Sequence, residues 1–259
     1  MEPRWSSKFE IKPGSWVFVP TETEVLFGTE LKASIESKWK PPAFYYHLRD
    51  GGHVKALQSH VNHEAFLYLD ISNFFGCINR SRVTRCLKGM YSYQNSRDIA
   101  QRSTVKNPDS SLNKYILPFG FVQSPIIASL CLSKSRLGRF LSASNRQGNF
   151  SVSVYMDDII VSADDKKDLQ QLLDEIIPIS EQSKFFLNKE KQEGPSSKIT
   201  AFNIKLTNSV LSVTSERFEE FKKAYKETED LHVRRGIVGY VETVNKEQAS
   251  ELMKLSCSS

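Results

Sequence analysis

Ser151-Val152-Ser153-Val154-Tyr155-Met156-Asp157-Asp158-Ile159-Ile160-Val161 is the stretch on which the reading of this chain turns. Two apolar runs flank a short polar step that contains Asp, a pattern that predicts a tight β-hairpin. Its tip then carries two adjacent carboxylates. At about 4 Å and an effective dielectric of about 20, two such charges repel by roughly 4 kcal/mol. Folding alone gives no reason to accept that repulsion, whereas a divalent cation shared with a phosphate chain does. A lone Asp at a hairpin tip is usually only a turn residue. The weight therefore falls on whether another apolar strand supplies a third carboxylate.

Asp70 is that carboxylate. Ala65-Phe66-Leu67-Tyr68-Leu69-Asp70-Ile71 is a continuous β-favouring run, the pattern of a strand buried on both faces. An ionised Asp inside such a run is costly unless it is paired or bound to metal. Ser72-Asn73-Phe74-Phe75-Gly76 reads as a turn-like segment. A helix is predicted from near Ser81, with Val83, Cys86 and Leu87 inward and Gly89 as the stop. Arg80, Arg82, Arg85 and Lys88 then make a basic, solvated outer side.

Leu69-Asp70-Ile71-Ser72-Asn73-Phe74-Phe75, then Leu117-Pro118-Phe119-Gly120-Phe121-Val122-Gln123-Ser124-Pro125, then Tyr155-Met156-Asp157-Asp158 resemble the ordered palm motifs of reverse transcriptases, above all the bacterial retron-like and defence-associated kind. Leu187-Asn188-Lys189-Glu190-Lys191 resembles the Leu-Asn-x-x-Lys element of that group, and Ile199-Thr200-Ala201-Phe202-Asn203-Ile204 its primer-grip strand. Tyr45 to Lys55 resembles the fingers hairpin, with Asp50-Gly51-Gly52 as its turn.

The resemblance implies an α+β right-hand fold: fingers, a palm whose antiparallel sheet packs on helices, and a short helical thumb. It divides the chain into an N-terminal region with fingers (residues 1–64), a palm (65–205, with a fingers insertion around 90–117) and a thumb-like end (206–259). It implies an RNA-directed DNA polymerase acting on a dedicated RNA, in bacterial antiviral defence. Asp70, Asp157 and Asp158 would bind two Mg²⁺ ions, replaceable by Mn²⁺, with the Ile71 carbonyl as a further ligand. Lys191 would protonate the leaving pyrophosphate. Phe75, Gly120 and Gln123 would meet the incoming dNTP, Phe75 by leaving no room for a 2′-hydroxyl. Arg49 and Lys55 are alternatives for gripping the triphosphate. The chain departs from the common pattern at Phe119, where many relatives have Gln, and at Gln123, where a small residue is frequent. RNA template, DNA product and dNTP are the implied partners, with a second copy of the chain or a partner protein as further candidates. Untemplated or protein-primed synthesis in the same fold is the first alternative, and a non-catalytic RNA-binding scaffold the second.

Elsewhere the pattern predicts a helix from Ser124-Pro125, with Ser124 as N-cap, and a helix capped by Asp164 or Asp165 and ended by Pro178. Loops are predicted at residues 106–111 and 142–148. After the primer-grip strand come a helix from Thr214 and a last helix from about Lys246. So short a thumb implies weak processivity, or a duplex held by another subunit or a bound RNA. The net charge of +5 suits nucleic acid without demanding it. Cys77, Cys86, Cys131 and Cys257 lack metal or disulfide spacing, which points to a reducing cytoplasm and away from zinc. His47, His53, His60 and His63 read as packing or surface residues. No 18-residue apolar run appears, so this chain is expected not to insert into a membrane.

Overall fold

The structure is a computed structural model that describes residues 4–12, 14–109 and 113–255. Ser110, Ser111 and Cys257 lie outside the described residues. In chain order the elements are strands β1 (Trp5–Lys12) and β2 (Ser15–Pro20), helix α1 (Glu22–Lys38), a 3-10 turn at Tyr46–Leu48 and α2 (Gly52–Gln58). Then come β3 (Ala65–Asp70), α3 (Arg80–Leu87), α4 (Tyr93–Arg102), β4 (Val105–Lys106) and β5 (Tyr115–Ile116). The middle holds α5 (Ser124–Ser133), α6 (Arg136–Arg146), β6 (Ser151–Tyr155), β7 (Asp158–Ala163) and α7 (Lys166–Gln182). The end holds β8 (Glu193–Ser196), β9 (Lys198–Ala201), β10 (Ile204–Thr207), β11 (Val210–Val213), α8 (Ser215–Glu227), α9 (Leu231–Val244) and α10 (Lys246–Leu255).

The central sheet has the order β6-β7-β3-β8, and its β6–β7, β7–β3 and β3–β8 pairings are all antiparallel. Side chains alternate between its faces with a period of two. Ala65, Leu67 and Leu69 of β3 and Ile159 and Val161 of β7 join one core, with α3, α5, α6 and α7. Phe66 and Ile160 face a second core, beneath the β9-β10-β11 meander and the C-terminal helices, and Tyr68 packs against it. The α+β architecture with an antiparallel sheet packed on helices is thus the one expected from the sequence.

Several local expectations are corrected. Residues 45–55 do not form a hairpin. Gly51, at φ +91°, starts α2 instead, because Val54, Ala56 and Leu57 bury at helical spacing. The stretch 199–204 is not one strand. Phe202 and Asn203 both take left-handed backbone (φ +57° and +58°), the turn that joins β9 to β10. Residues 205 and 206, where the sequence suggests a change from palm to thumb, both lie inside β10.

Helix α3 starts at Arg80, within one residue of the expected Ser81, and Asn79 caps it by accepting from the Arg82 amide. Arg80 and Arg82 are only partly exposed. Arg80 lies 3.7 Å over the Tyr115 ring, and Arg82 donates to the Ser183 carbonyl over the Phe185 ring. Helix α5 already includes Ser124, so its N-cap position falls on Gln123. Residues 142–146 belong to α6, held by buried Leu141 and Ser144. Pro178 sits inside α7 rather than at its end, and the next turn keeps Ser180 buried. Helix α9 was not expected. Gly236 and Gly239 lower its propensity, but Val241 and Val244 bury enough to hold it.

Candidate active site

The ends of β3 and β7 carry the carboxylates. Asp70 pairs directly with Asp158 across the two strands, and the Ile71 amide donates to the Asp157 carbonyl at 2.9 Å. By strand parity Asp70 and Asp158 project from the face that Tyr68 and Ile160 share. Tyr68 Oη donates to Asp158 Oδ1 at 2.5 Å. Burial pushes the Asp158 carboxyl up to about 6, and the charges of Asp157 and Asp70 add to the push, while the Tyr68 bond and Lys191 oppose it. Three carboxylates at one sheet end are therefore in electrostatic conflict until positive charge arrives.

Lys191 supplies some of that charge. Its Nζ donates to Asp70 Oδ2 at 2.6 Å, and this bond raises the lysine pKa. Asp70 is 3% exposed, so the pair is buried at one end only. The Leu187–Lys191 segment reaches the site by running beside the end of β3: Ser72 donates to the Phe186 carbonyl and Asn188 to the Asp70 carbonyl, both at 2.8 Å.

The turn bearing Asp157 is held from behind. Met156 sits in left-handed backbone at φ +61°, and its amide donates to His47 Nδ1 at 3.0 Å. His47 Nε2 lies 2.6 Å from Ser129 Oγ, which in turn donates to the Pro125 carbonyl. The chain is consistent only if Nε2 carries the proton and the ring is neutral. Burial lowers the His47 pKa to about 4. Tyr155 stacks edge-on against His53 and Phe202, and His53 Nε2 meets Tyr240 Oη of α9 at 3.1 Å. An aromatic wall thus ties the hairpin to the β9–β10 turn and the C-terminal helices.

His60 is fully buried between Ser162 and Ser153, and burial first, then nearby His63, lowers its pKa to about 3. His47 and His60 therefore titrate below the ordinary value of about 6.5. Their contribution to stability is complete above about pH 6.5 and is lost as pH falls toward 4 and 3, because the unfolded chain takes up protons first. By pH 4.5 the loss is about 2–3 kcal/mol for each. Asp158, with a raised pKa, works in the opposite direction over the same range. His60→Asn is the discriminating variant. Its melting temperature should fall less than the parent's between pH 7 and 4.5, and parallel curves would contradict the assignment.

The other sequence candidates are placed as follows. Phe75 is half-buried, edge-on to Phe119 at 5.7 Å. Gly120, at φ +110°, passes so close to β2 that an added Cβ would lie 2.3 Å from the Phe18 carbonyl oxygen. Gln123 is not brought to the carboxylates. It is fully buried, with Nε2 3.5 Å from Ser103 Oγ and its amide against Gly28 of α1. Arg49 is exposed, bonded to the Ala43 carbonyl and lying 5.1 Å over the Tyr46 ring. Lys55 is exposed on α2, its stem against Gly51. Two participants were missed. Tyr68 was legible, since it lies two residues before Asp70 on one strand face. His47 was not, because only tertiary packing brings it to Met156.

Among the described residues, no set of three or more His, Cys, Asp and Glu side chains forms a ready cation cage. Mg²⁺ does not need one, since it commonly takes one or two carboxylates and completes its shell with water and substrate phosphates. The donor set here is all hard oxygen, which fits such an ion. No helix among the described residues is long and apolar enough to cross a membrane.

Residues 21–202 match the family described as reverse transcriptase (RNA-dependent DNA polymerase). The retron Mx65 reverse transcriptase of Myxococcus xanthus is 24% identical over 212 residues, covering 75% of this chain and 50% of that protein. The chain thus spans about half the length of this curated relative. Among solved structures, the telomerase of Candida albicans in complex with a fragment of telomeric RNA superposes with a TM-score of 0.51 at 12% identity, over 90% of this chain and 47% of that one. The foamy viral protease-reverse transcriptase in complex with an RNA/DNA hybrid gives 0.50 at 16% identity, over 80% and 26%. These two likenesses concern the fold.

Proposed function

The chain belongs to the reverse transcriptase family, and from that membership we propose that it is an RNA-directed DNA polymerase, transferring dNMP from dNTP to a primer 3′-hydroxyl. The observation that carries this reading is the meeting of Asp70 with the Asp157-Asp158 turn on neighbouring strands. Asp70, Asp157 and Asp158 would hold two divalent cations, Mg²⁺ or Mn²⁺, which when bound acidify the primer hydroxyl and neutralise the triphosphate. Tyr68 orients the Asp158 carboxylate through its hydroxyl. Lys191, protonated and held on Asp70, is the proton donor for leaving pyrophosphate. His47 fixes the turn that presents Asp157. A dedicated RNA template is part of this reading, supported by likeness to a retron enzyme.

The test is primer extension by the purified chain with Mg²⁺, labelled dNTPs and a DNA primer on an RNA template. Incorporation that follows the template sequence supports the reading. Incorporation without template supports untemplated synthesis instead, and RNA binding with no incorporation supports a scaffold.

Phe75 carries the proposed choice of sugar. It follows Asp70 by five residues in sequence, and its ring is braced by Phe74 and Phe119. Phe75→Ala should cut discrimination against ribonucleotides by about tenfold or more, roughly the 1.4 kcal/mol of one steric contact. Equal discrimination in variant and parent during primer extension would remove this role.

A further inference from the structure

Charge is distributed very unevenly along the chain. Residues 71–156 hold 12 Lys and Arg but only 2 acidic residues, Asp98 and Asp109, a net +10 in a chain whose total is +5. Some of these cations are used internally: Arg80 on Tyr115, Arg82 on Ser183 and Phe185, and Arg102 on Glu24. Others are exposed and converge on one surface.

Arg85, Lys134 and Arg139 line a recess of about 460 Å³ between the end of α3 and the α5–α6 corner. Lys134 Nζ is anchored on the Cys86 carbonyl at 2.7 Å, so its charge stays at the recess without a carboxylate to cancel it. Next along α3, Lys88 lies 4.6 Å from the centre of the Tyr93 ring, and Arg97 of α4 lies 5.8 Å from the same ring. Tyr93 is 56% exposed. None of these five cations has an ion-pair partner among the described residues.

Helices α3, α5 and α6 pack on the first core, under Leu67, Leu69 and Val161. Asp70 and Asp158 project with Tyr68 and Ile160 from the opposite face of the central sheet. The basic surface therefore lies behind the sheet, away from the carboxylates.

We propose that this surface is a second nucleic-acid site, which takes the phosphate backbone of a folded strand while the carboxylates work on another. Five like charges held together without counter-charge repel, and nothing in the packing returns that cost. A phosphate backbone returns it by neutralisation and counterion release, and Tyr93 between two cations offers a ring for an unpaired base. A membrane surface suits the site less, because an anchor needs exposed apolar side chains and Tyr93 is the large one present. The proposal does not depend on polymerase activity.

The experiment is anisotropy titration of the full chain with a labelled 20-base-pair RNA duplex at 50–200 mM KCl. The variant is Arg85→Gln/Lys134→Gln/Arg139→Gln. Its control removes three exposed lysines elsewhere: Lys40→Gln/Lys166→Gln/Lys167→Gln. The site variant should bind at least tenfold more weakly at 100 mM KCl, and its slope of log affinity against log salt should shrink by about two to three. The control should stay within about twofold of the parent, and primer extension at saturating primer-template should be unchanged in both. Lys88→Gln/Arg97→Gln should weaken binding separately. A DNA duplex arm identifies the source: equal loss assigns bare backbone charge, and loss for RNA alone assigns A-form shape. Equal affinity in site variant and parent, equal loss in site variant and control, or loss of binding to phosphatidylserine vesicles with RNA binding intact would each overturn the proposal.

Discussion

Asp157→Asn should lower nucleotide incorporation by at least a thousandfold while leaving the protein folded. The two halves of this expectation have different causes. The turn is held by backbone: Ile71 donates to the Asp157 carbonyl, and Met156 donates to His47 Nδ1. Neither bond uses the Asp157 carboxylate, and Asn suits a turn as well as Asp does. Replacing one of three crowded carboxylates by an amide also relieves repulsion on Asp158, so its pKa should fall toward the ordinary value. Melting should therefore stay level or rise slightly. Catalysis loses an anionic cation ligand, and a thousandfold loss corresponds to about 4 kcal/mol of transition-state stabilisation. Single-nucleotide incorporation under saturating substrate measures the effect. A variant within tenfold of the parent would mean that Asp157 holds no catalytic ion.

Phe66→Ala should be the most destabilising of the strand substitutions, by about 3–5 kcal/mol. Phe66 is fully buried, and it is the large β3 side chain packed into the second core, against Ile160 and the meander residues Ile199, Ile204 and Leu206. Its loss leaves a cavity between two layers that the strands above and below cannot close. For a chain of this size the melting temperature should drop by about 6–20 °C. The companion variant Leu67→Ala opens the other core, which α7 and α5 line, and should cost about 2–5 kcal/mol. Thermal unfolding followed by circular dichroism separates the two. A Phe66→Ala variant that melts within 2 °C of the parent would contradict the two-core description of the sheet.

The parts of the fold legible in the sequence are those where one strand face or one turn decides. The apolar run before Asp70 and the run around Tyr155–Asp158 can bury only as neighbouring strands, and β3 and β7 pair along their whole length. The Leu187–Lys191 segment was legible as a likeness, yet the side-chain pair of Lys191 with Asp70, 121 residues apart in sequence, depends on the backbone bonds from Ser72 to Phe186 and from Asn188 to Asp70. Gly51 shows where local reading fails. Asp-Gly-Gly signals a turn equally before a strand or before a helix, and the burial of Val54, Ala56 and Leu57 decides for the helix. Gln123 sits in a segment with a recognisable pattern but faces α1 and the end of α4, because the Gly120 backbone is pinned to β2, an element the sequence did not announce. His47 was illegible for the same reason: its partner, the Met156 amide, is 109 residues away.

The proposed polymerase requires Asp70 and Asp157 to share cations at the end of β3. Anomalous diffraction from crystals grown with Mn²⁺ and a non-hydrolysable dNTP tests it directly. Mn²⁺ should be in direct coordination with oxygens of both Asp70 and Asp157, and Lys191 Nζ withdrawn from Asp70 Oδ2. Mn²⁺ bound elsewhere, with Lys191 still paired to Asp70, would contradict it.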